Sequence, residues 1–247
     1  MKDAKVSFNI NRLNTLVRKW SARARSEEPN TSDLLALMVH SSLLCDASTE
    51  MADTAIQKIR SHNVDFNEFR VNLVDEMVGT IGVKYPDAFE RMRHLRMTMF
   101  DLFRRHHKVS LDQLVGKPKR DVKIYVENLE GMPTYVVARF MLLGFDFPGV
   151  PVDWTTIDWL VQEEVLPESV EPEALMKVWA KKFRAERARA IHFALVAATD
   201  SFHNSGKAAA ARKVREGTRK LGGAAAASVA KAKAGVAKGS RSPSKAR

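Results

Sequence analysis

The chain has 247 residues, 40 Lys+Arg against 29 Asp+Glu, a formal net charge of +11 and a pI near 9.8. A hydrophobic share of 45% excludes wholesale disorder. The one cysteine, Cys45, excludes a disulfide framework, a Cys-rich zinc site and a cysteine-ligated iron–sulfur cluster, each of which takes several thiols.

Residues 8–25 read as a basic helix, with Phe8, Leu13, Leu16, Val17 and Trp20 near helical spacing. This N-terminal stretch has no apolar core and is not a secretory signal. Pro29-Asn30 breaks the helix, and Thr31-Ser32-Asp33 offers caps for the next. That helix, 34–44, is apolar nearly all round and is expected to be buried. Further helices are expected at 47–61 and at 66–79, the latter with Phe69, Leu73 and Met77 on one face. A long one follows at 86–105, with a stripe of Phe89, Met92, Leu95, Met99 and Phe103. Shorter pieces at 111–114 and 121–128 lead to an apolar helix at 135–144. A helix at 153–164 starts at a clear cap, and 172–203 holds one or two more. No alternating strand pattern and no Asn-Gly or Asp-Gly hairpin turn occurs. The fold class is therefore all-α. No run approaches the length of a membrane-spanning helix, so no membrane is expected.

The charge is unevenly placed. Residues 204–247 carry 12 Lys+Arg and one acid, Glu216, which leaves 28 basic and 28 acidic residues in 1–203. The body is formally neutral and the tail holds the whole +11. With 13 Ala and 6 Gly, the tail cannot bury enough surface to offset ordering, so 204–247 reads as disordered when alone. Its spaced lysines, among them Lys231, Lys233, Lys238 and Lys245, read either as a solubilising tail or, more sharply, as a mobile polycation suited to nonspecific phosphate binding through counterion release.

The informative stretch is Leu129-Glu130-Gly131-Met132-Pro133-Thr134-Tyr135-Val136-Val137-Ala138, a helix end, a glycine turn and an apolar helix in close succession. Soon after comes Val152-Asp153-Trp154-Thr155-Thr156-Ile157-Asp158-Trp159-Leu160. Upstream lie the helix Leu34–Leu44 with its Cys45-Asp46 turn, the Thr80-Ile81-Gly82-Val83 turn and the Arg104-Arg105-His106 helix end. In this order and spacing the set resembles the helix-hairpin-helix DNA glycosylase superfamily, the endonuclease III-like (HhH-GPD) fold, over roughly 10–200.

The resemblance implies a two-lobed helical body at 1–203. One lobe is 34–146, with the hairpin at 121–144. The other is 1–33 plus 147–203. It implies that Asp153 is the catalytic carboxylate, which also caps a helix. It implies that Gly131, Met132 and Thr134 grip the DNA backbone, helped by Lys117, Lys119 and Arg120. Leu43 falls where the family carries a wedge residue. Tyr135 falls where bifunctional members carry the Schiff-base lysine, and a phenol forms no imine, so lyase chemistry through this position is excluded. Pro133 removes one amide donor that the family has, and Glu130 adds a negative charge there. The iron–sulfur cysteines are absent, and neither a cofactor nor a metal is expected.

Two readings follow. One is a monofunctional DNA glycosylase acting on double-stranded DNA, with the tail as a tether. The other is a catalytically silent DNA-binding or nucleoid-associated protein. Either is expected to be monomeric and to sit in the cytoplasm or on the nucleoid, or in a nucleus if the source has one.

Overall fold

In a computed structural model of the chain, which describes residues 6–24 and 32–217, side-chain caps set the starts of several helices. Asn9 accepts from the Arg12 amide at the start of α1 (Ile10–Ser21). Asp33 does the same for α2 (Leu34–Leu44), Ser48 for α3 (Thr49–His62) and Asp65 for α4 (Phe66–Val71). Each cap satisfies an amide that the helix cannot satisfy internally. The chain continues through α5 (Val74–Ile81), α6 (Ala88–His106), a single 3-10 turn (Asp112–Leu114), α7 (Lys119–Glu127) and α8 (Thr134–Phe145). It then forms α9 (Trp154–Gln162), α10 (Pro172–Lys182) and α11 (Ala185–Asn204). Among the described residues there is no strand, as the patterning requires.

Three expectations are corrected in detail. The helix expected over 66–79 is two, because Asn72 and Leu73 are extended and the Leu73 amide donates to the Glu76 carboxylate at 2.8 Å. Leu73 is thereby turned outward and is 63% exposed. On α6 the buried face is Met92, Leu95, Met99 and Leu102, while Phe89 is left exposed. Finally, part of the segment read as disordered is ordered: residues 207–217 are helical and Ala208 is buried. Arg212 of that helix pairs with Asp87, and Arg215 pairs with Asp158 and lies over the Trp154 ring. Charge pairing, which composition does not show, supplies what apolar burial there lacks. Lys231, Lys233, Lys238 and Lys245 lie outside the described residues.

The core runs along α2, which is buried on nearly every side and packs against α3, α6 and α8. α11 supports α1, α8 and α9, and the Val165 carbonyl ties the chain end before α1 through the Asn9 amide. Leu43, read as a wedge for the duplex, is wholly buried on α2. An apolar side chain without exposed surface has no reach into DNA, and its place is the core.

The α7–α8 hairpin is bolted to α6. The Asp101 carboxylate, fully buried, accepts from Arg104, from Arg105 and from the Glu130 amide. The Thr98 hydroxyl donates to the Glu130 carbonyl at 2.8 Å. Gly131 then turns the chain at φ 75°, and a Cβ there would lie 2.5 Å from the His94 carbonyl oxygen. Both the left-handed backbone and the contact with α6 therefore demand glycine. Gly131→Ala is expected to destabilise the protein by roughly 3 kcal/mol, read as a lower midpoint in denaturant at unchanged slope. A midpoint within experimental error of the parent would contradict this docking of the hairpin.

Candidate functional site

The two turns that the motif comparison singled out meet at one point. Asp153 caps α9: its Oδ1 accepts from the Thr156 amide at 2.8 Å and from the Thr156 hydroxyl at 2.6 Å. Its Oδ2 accepts from the amide of Asp46 at 2.8 Å. Asp46, left-handed at φ 54°, answers in kind, with its Oδ1 accepting from the Thr155 amide at 2.8 Å and the Thr155 hydroxyl at 3.1 Å. The end of α2 and the start of α9 are thus joined by a reciprocal aspartate clasp. Asp153 is only 8% exposed.

Two carboxylates brought together out of water cannot both ionise freely. Burial pushes the Asp46 carboxyl up to about 6, and the Asp153 charge adds to the rise; the Thr155 amide, Arg215 and Arg91 oppose it. Burial likewise raises the Cys45 thiol, with Asp46 and Asp153 contributing. Arg91 braces the same turn from α6. Its guanidinium donates to the Ser42 carbonyl and, at 2.6 Å, to the Cys45 carbonyl, and it lies over the Tyr85 ring.

Tyr135 is the second residue of α8 and is buried. Burial first, and then the Asp153 charge, hold its phenol well above the ordinary range. Asp153 and Tyr135 are therefore electrostatic neighbours, and the carboxylate stands beside the first turn of the helix that follows the hairpin. The phenol stays neutral over the working pH range, so it offers a hydroxyl and no phenolate nucleophile.

At the same helix end the backbone is open. No side chain caps α8, and Pro133, at the cap position, has no N–H. The Gly131, Met132 and Thr134 amides make no backbone hydrogen bond, and the Thr134 hydroxyl donates to Glu173 at 3.3 Å. Free amides at a helix start, with the helix dipole behind them, form an anion-binding arrangement. Glu130, whose charge opposes this, is matched by Arg104 at 2.8 Å. Lys117, Lys119 and Arg120 are exposed on the approach to α7, and Lys119 also donates to the Asp146 carbonyl at 3.3 Å.

The structure places the Asp153 charge where it acts on Tyr135, in the first turn of α8 after the Gly131-Met132-Pro133-Thr134 turn, and removes Leu43 from the set. Sequence reasoning did not single out Asp46, Arg91 or Arg215 as site residues. Asp46 had a signal, since it directly follows the buried helix in a motif already noted. Arg91 and Arg215 had none, because their partners are 46 to 57 residues away. The described residues show no group of His, Cys, Asp or Glu suited to a metal and no helix long and apolar enough to cross a membrane.

The fold compares with solved structures of known activity. One is endonuclease III trapped as a covalent intermediate with DNA, with TM-score 0.57 and 11% identity over 75% of this chain and 82% of that one. Another is a thermostable thymine-DNA glycosylase, with TM-score 0.53 and 14% identity over 76% of this chain and 86% of that one. No protein-family model and no curated protein matches the chain. The fold is the endonuclease III-like all-α fold.

The raised Asp46 carboxyl has a measurable consequence. The folded state holds this proton to a higher pH than the unfolded chain does. The favourable contribution is full below about pH 4 and is lost as pH rises through about 6. Asp46→Asn keeps an oxygen for Thr155 and removes the repulsion from Asp153. Unfolding free energies across pH 4–8 should show the variant gaining on the parent as pH rises, by on the order of 2 kcal/mol at pH 8. Parallel curves would contradict a shared, strained carboxylate pair.

Proposed function

We propose that the protein is a monofunctional DNA glycosylase, with Asp153 the carboxylate that serves the bond to be cut. The observation that supports this most is the shared location of two parts. The Asp153 charge acts on the Tyr135 phenol in the first turn of α8, and the open Gly131, Met132 and Thr134 amides lead into that same turn. A phosphate seated on the Gly131, Met132 and Thr134 amides would place a neighbouring nucleotide at that carboxylate.

Cleaving an N-glycosidic bond develops positive charge on the sugar. A carboxylate held by three donors in a low-dielectric setting stabilises that charge, or takes a proton from the attacking water, without reorganising. The base must first leave the stack. With Tyr135 at the start of α8, water is the nucleophile and no imine forms. The partner is double-stranded DNA. The body, formally neutral, would bind it through local geometry, and the tail would supply nonspecific attraction.

A second reading, a catalytically silent DNA-binding protein, is favoured by a specific observation. The Asp153 oxygens already serve three donors, and the 207–217 helix lies against the start of α9 through Arg215. Excision assays separate the two. A panel of mismatched and damaged duplexes should yield free base with no borohydride-trappable adduct. Asp153→Asn should lose at least about 100-fold in rate while keeping its DNA affinity. Binding without release of any base by the parent protein would favour the silent reading, and undiminished release by the variant would remove Asp153 from the chemistry.

The tether is tested separately. Residues 218–247 carry eight Lys+Arg and no acid. Truncation after 217 spares the docked helix and should reduce the slope of log affinity against log salt by roughly 3 or more. An unchanged slope would show that the tail does not touch phosphate.

A further inference from the structure

Between α1, α2, α3 and α11 lies an open cavity of about 600 Å³. One wall is apolar, formed by Trp20, Leu37, Leu44, Ile56, Phe193 and Val196. The other presents Arg139 of α8, which is 3% exposed. Its Nε–H donates to His192 Nε2 at 3.3 Å and its Nη1 donates to the Ser41 hydroxyl at 2.8 Å. Both partners are neutral. The Ser41 hydroxyl in turn donates a hydrogen bond to the Leu37 carbonyl at 2.6 Å. Burial, together with Arg139 and His40, holds His192 well below its ordinary pKa, so it accepts from Arg139 as an uncharged ring.

A guanidinium stays protonated in proteins, and burying it without an anion costs several kcal/mol. Arg139 has no ion pair among the described residues, although two carboxylates line the same cavity. Each of these is engaged elsewhere: Asp53 with His40 at 3.0 Å, and Asp200 with the Thr49 amide and hydroxyl at 2.7 Å. Arg23 and Arg60 add positive charge to the lining. The cavity therefore offers a desolvated cation whose Nη2 has no hydrogen bond among the described residues, beside an apolar wall, with the Asp53 charge acting on it but no carboxylate bonded to it.

We propose that this cavity binds a small organic anion, a carboxylate or phosphate carried on an apolar body, with the Arg139 guanidinium receiving the anionic group. His192 and Ser41 hold the fork in place, and the Trp20–Phe193 wall takes the apolar body. The size suits a ligand of this kind, since small-molecule sites typically range over ~300–1,000 Å³ and pair a mostly apolar lining with a few polar anchors. Arg139 lies one helical turn from Tyr135 along α8. The binding does not depend on base excision.

The test uses the full chain, with benzoate and phenyl phosphate as carboxylate and phosphate probes and benzamide as the uncharged control. At ten times its Kd, at least one anionic probe should raise Tm by about 3 °C while benzamide does not. Arg139→Met, of similar length and without the charge, should abolish the shift. Ala197→Phe, which fills the cavity and keeps Arg139, should abolish it too and covers the case in which the methionine variant fails to fold. No shift in the parent protein with either anion overturns the proposal, as does an equal shift in both variants or with benzamide.

Discussion

The reciprocal clasp of Asp46 and Asp153 is the constraint on which the rest of the site depends. Asp46 accepts the Thr155 amide and hydroxyl from the α9 start, while Asp153 accepts the Asp46 amide from the α2 end and the Thr156 amide and hydroxyl of its own helix. The result joins the most buried helix, α2, to the start of α9. Arg91 holds the α2 end from α6. Burial first, and then the Asp153 charge, push the Asp46 carboxyl up to about 6, so the pair is held at a cost. A purely structural link would be made at less cost by one aspartate and a neutral partner.

The hairpin answers a different problem. A formally neutral body has no general attraction for a polyanion, so contact must come from local partial charges. The uncapped start of α8 provides them, and Arg104 neutralises the acid beside it. The Asp101 hub then transmits the rigidity of α6 into the turn. The docked 207–217 helix changes how the tail counts. Arg212 and Arg215 are committed to Asp87 and Asp158, so most of the charge available for tethering, eight Lys+Arg, lies beyond residue 217.

Much of this was legible in the sequence. Helix positions followed from capping residues such as Asp33 and Asp153 and from the apolar run of α2. Gly131 and Tyr135 were readable as one turn leading into α8, and Asp153 as the cap of α9, because each of these features is local in the chain. What failed depended on contacts across long separations. Leu43 sits on a helix with no polar face, so periodicity had no means of telling core from wedge. The split at Asn72–Leu73 came from the Glu76 side chain competing for a backbone amide. Arg139 reads in the sequence as one charge in an apolar helix, and only the fold shows its two neutral partners and the cavity beside it. The helix at 207–217 is ordered by ion pairs with residues 57 or more positions away, which composition does not encode.

The central claim is that the amides at the α8 start and the Asp153 carboxylate act on one nucleotide. A crystal structure of the full chain with a duplex containing a tetrahydrofuran abasic-site analogue tests it most directly. The account expects a phosphate within hydrogen-bonding distance of the Gly131, Met132 or Thr134 amides and the analogue's ring in contact with Asp153. Duplex bound on another face, or a hairpin-bound phosphate with the analogue left in the stack away from Asp153, would contradict it.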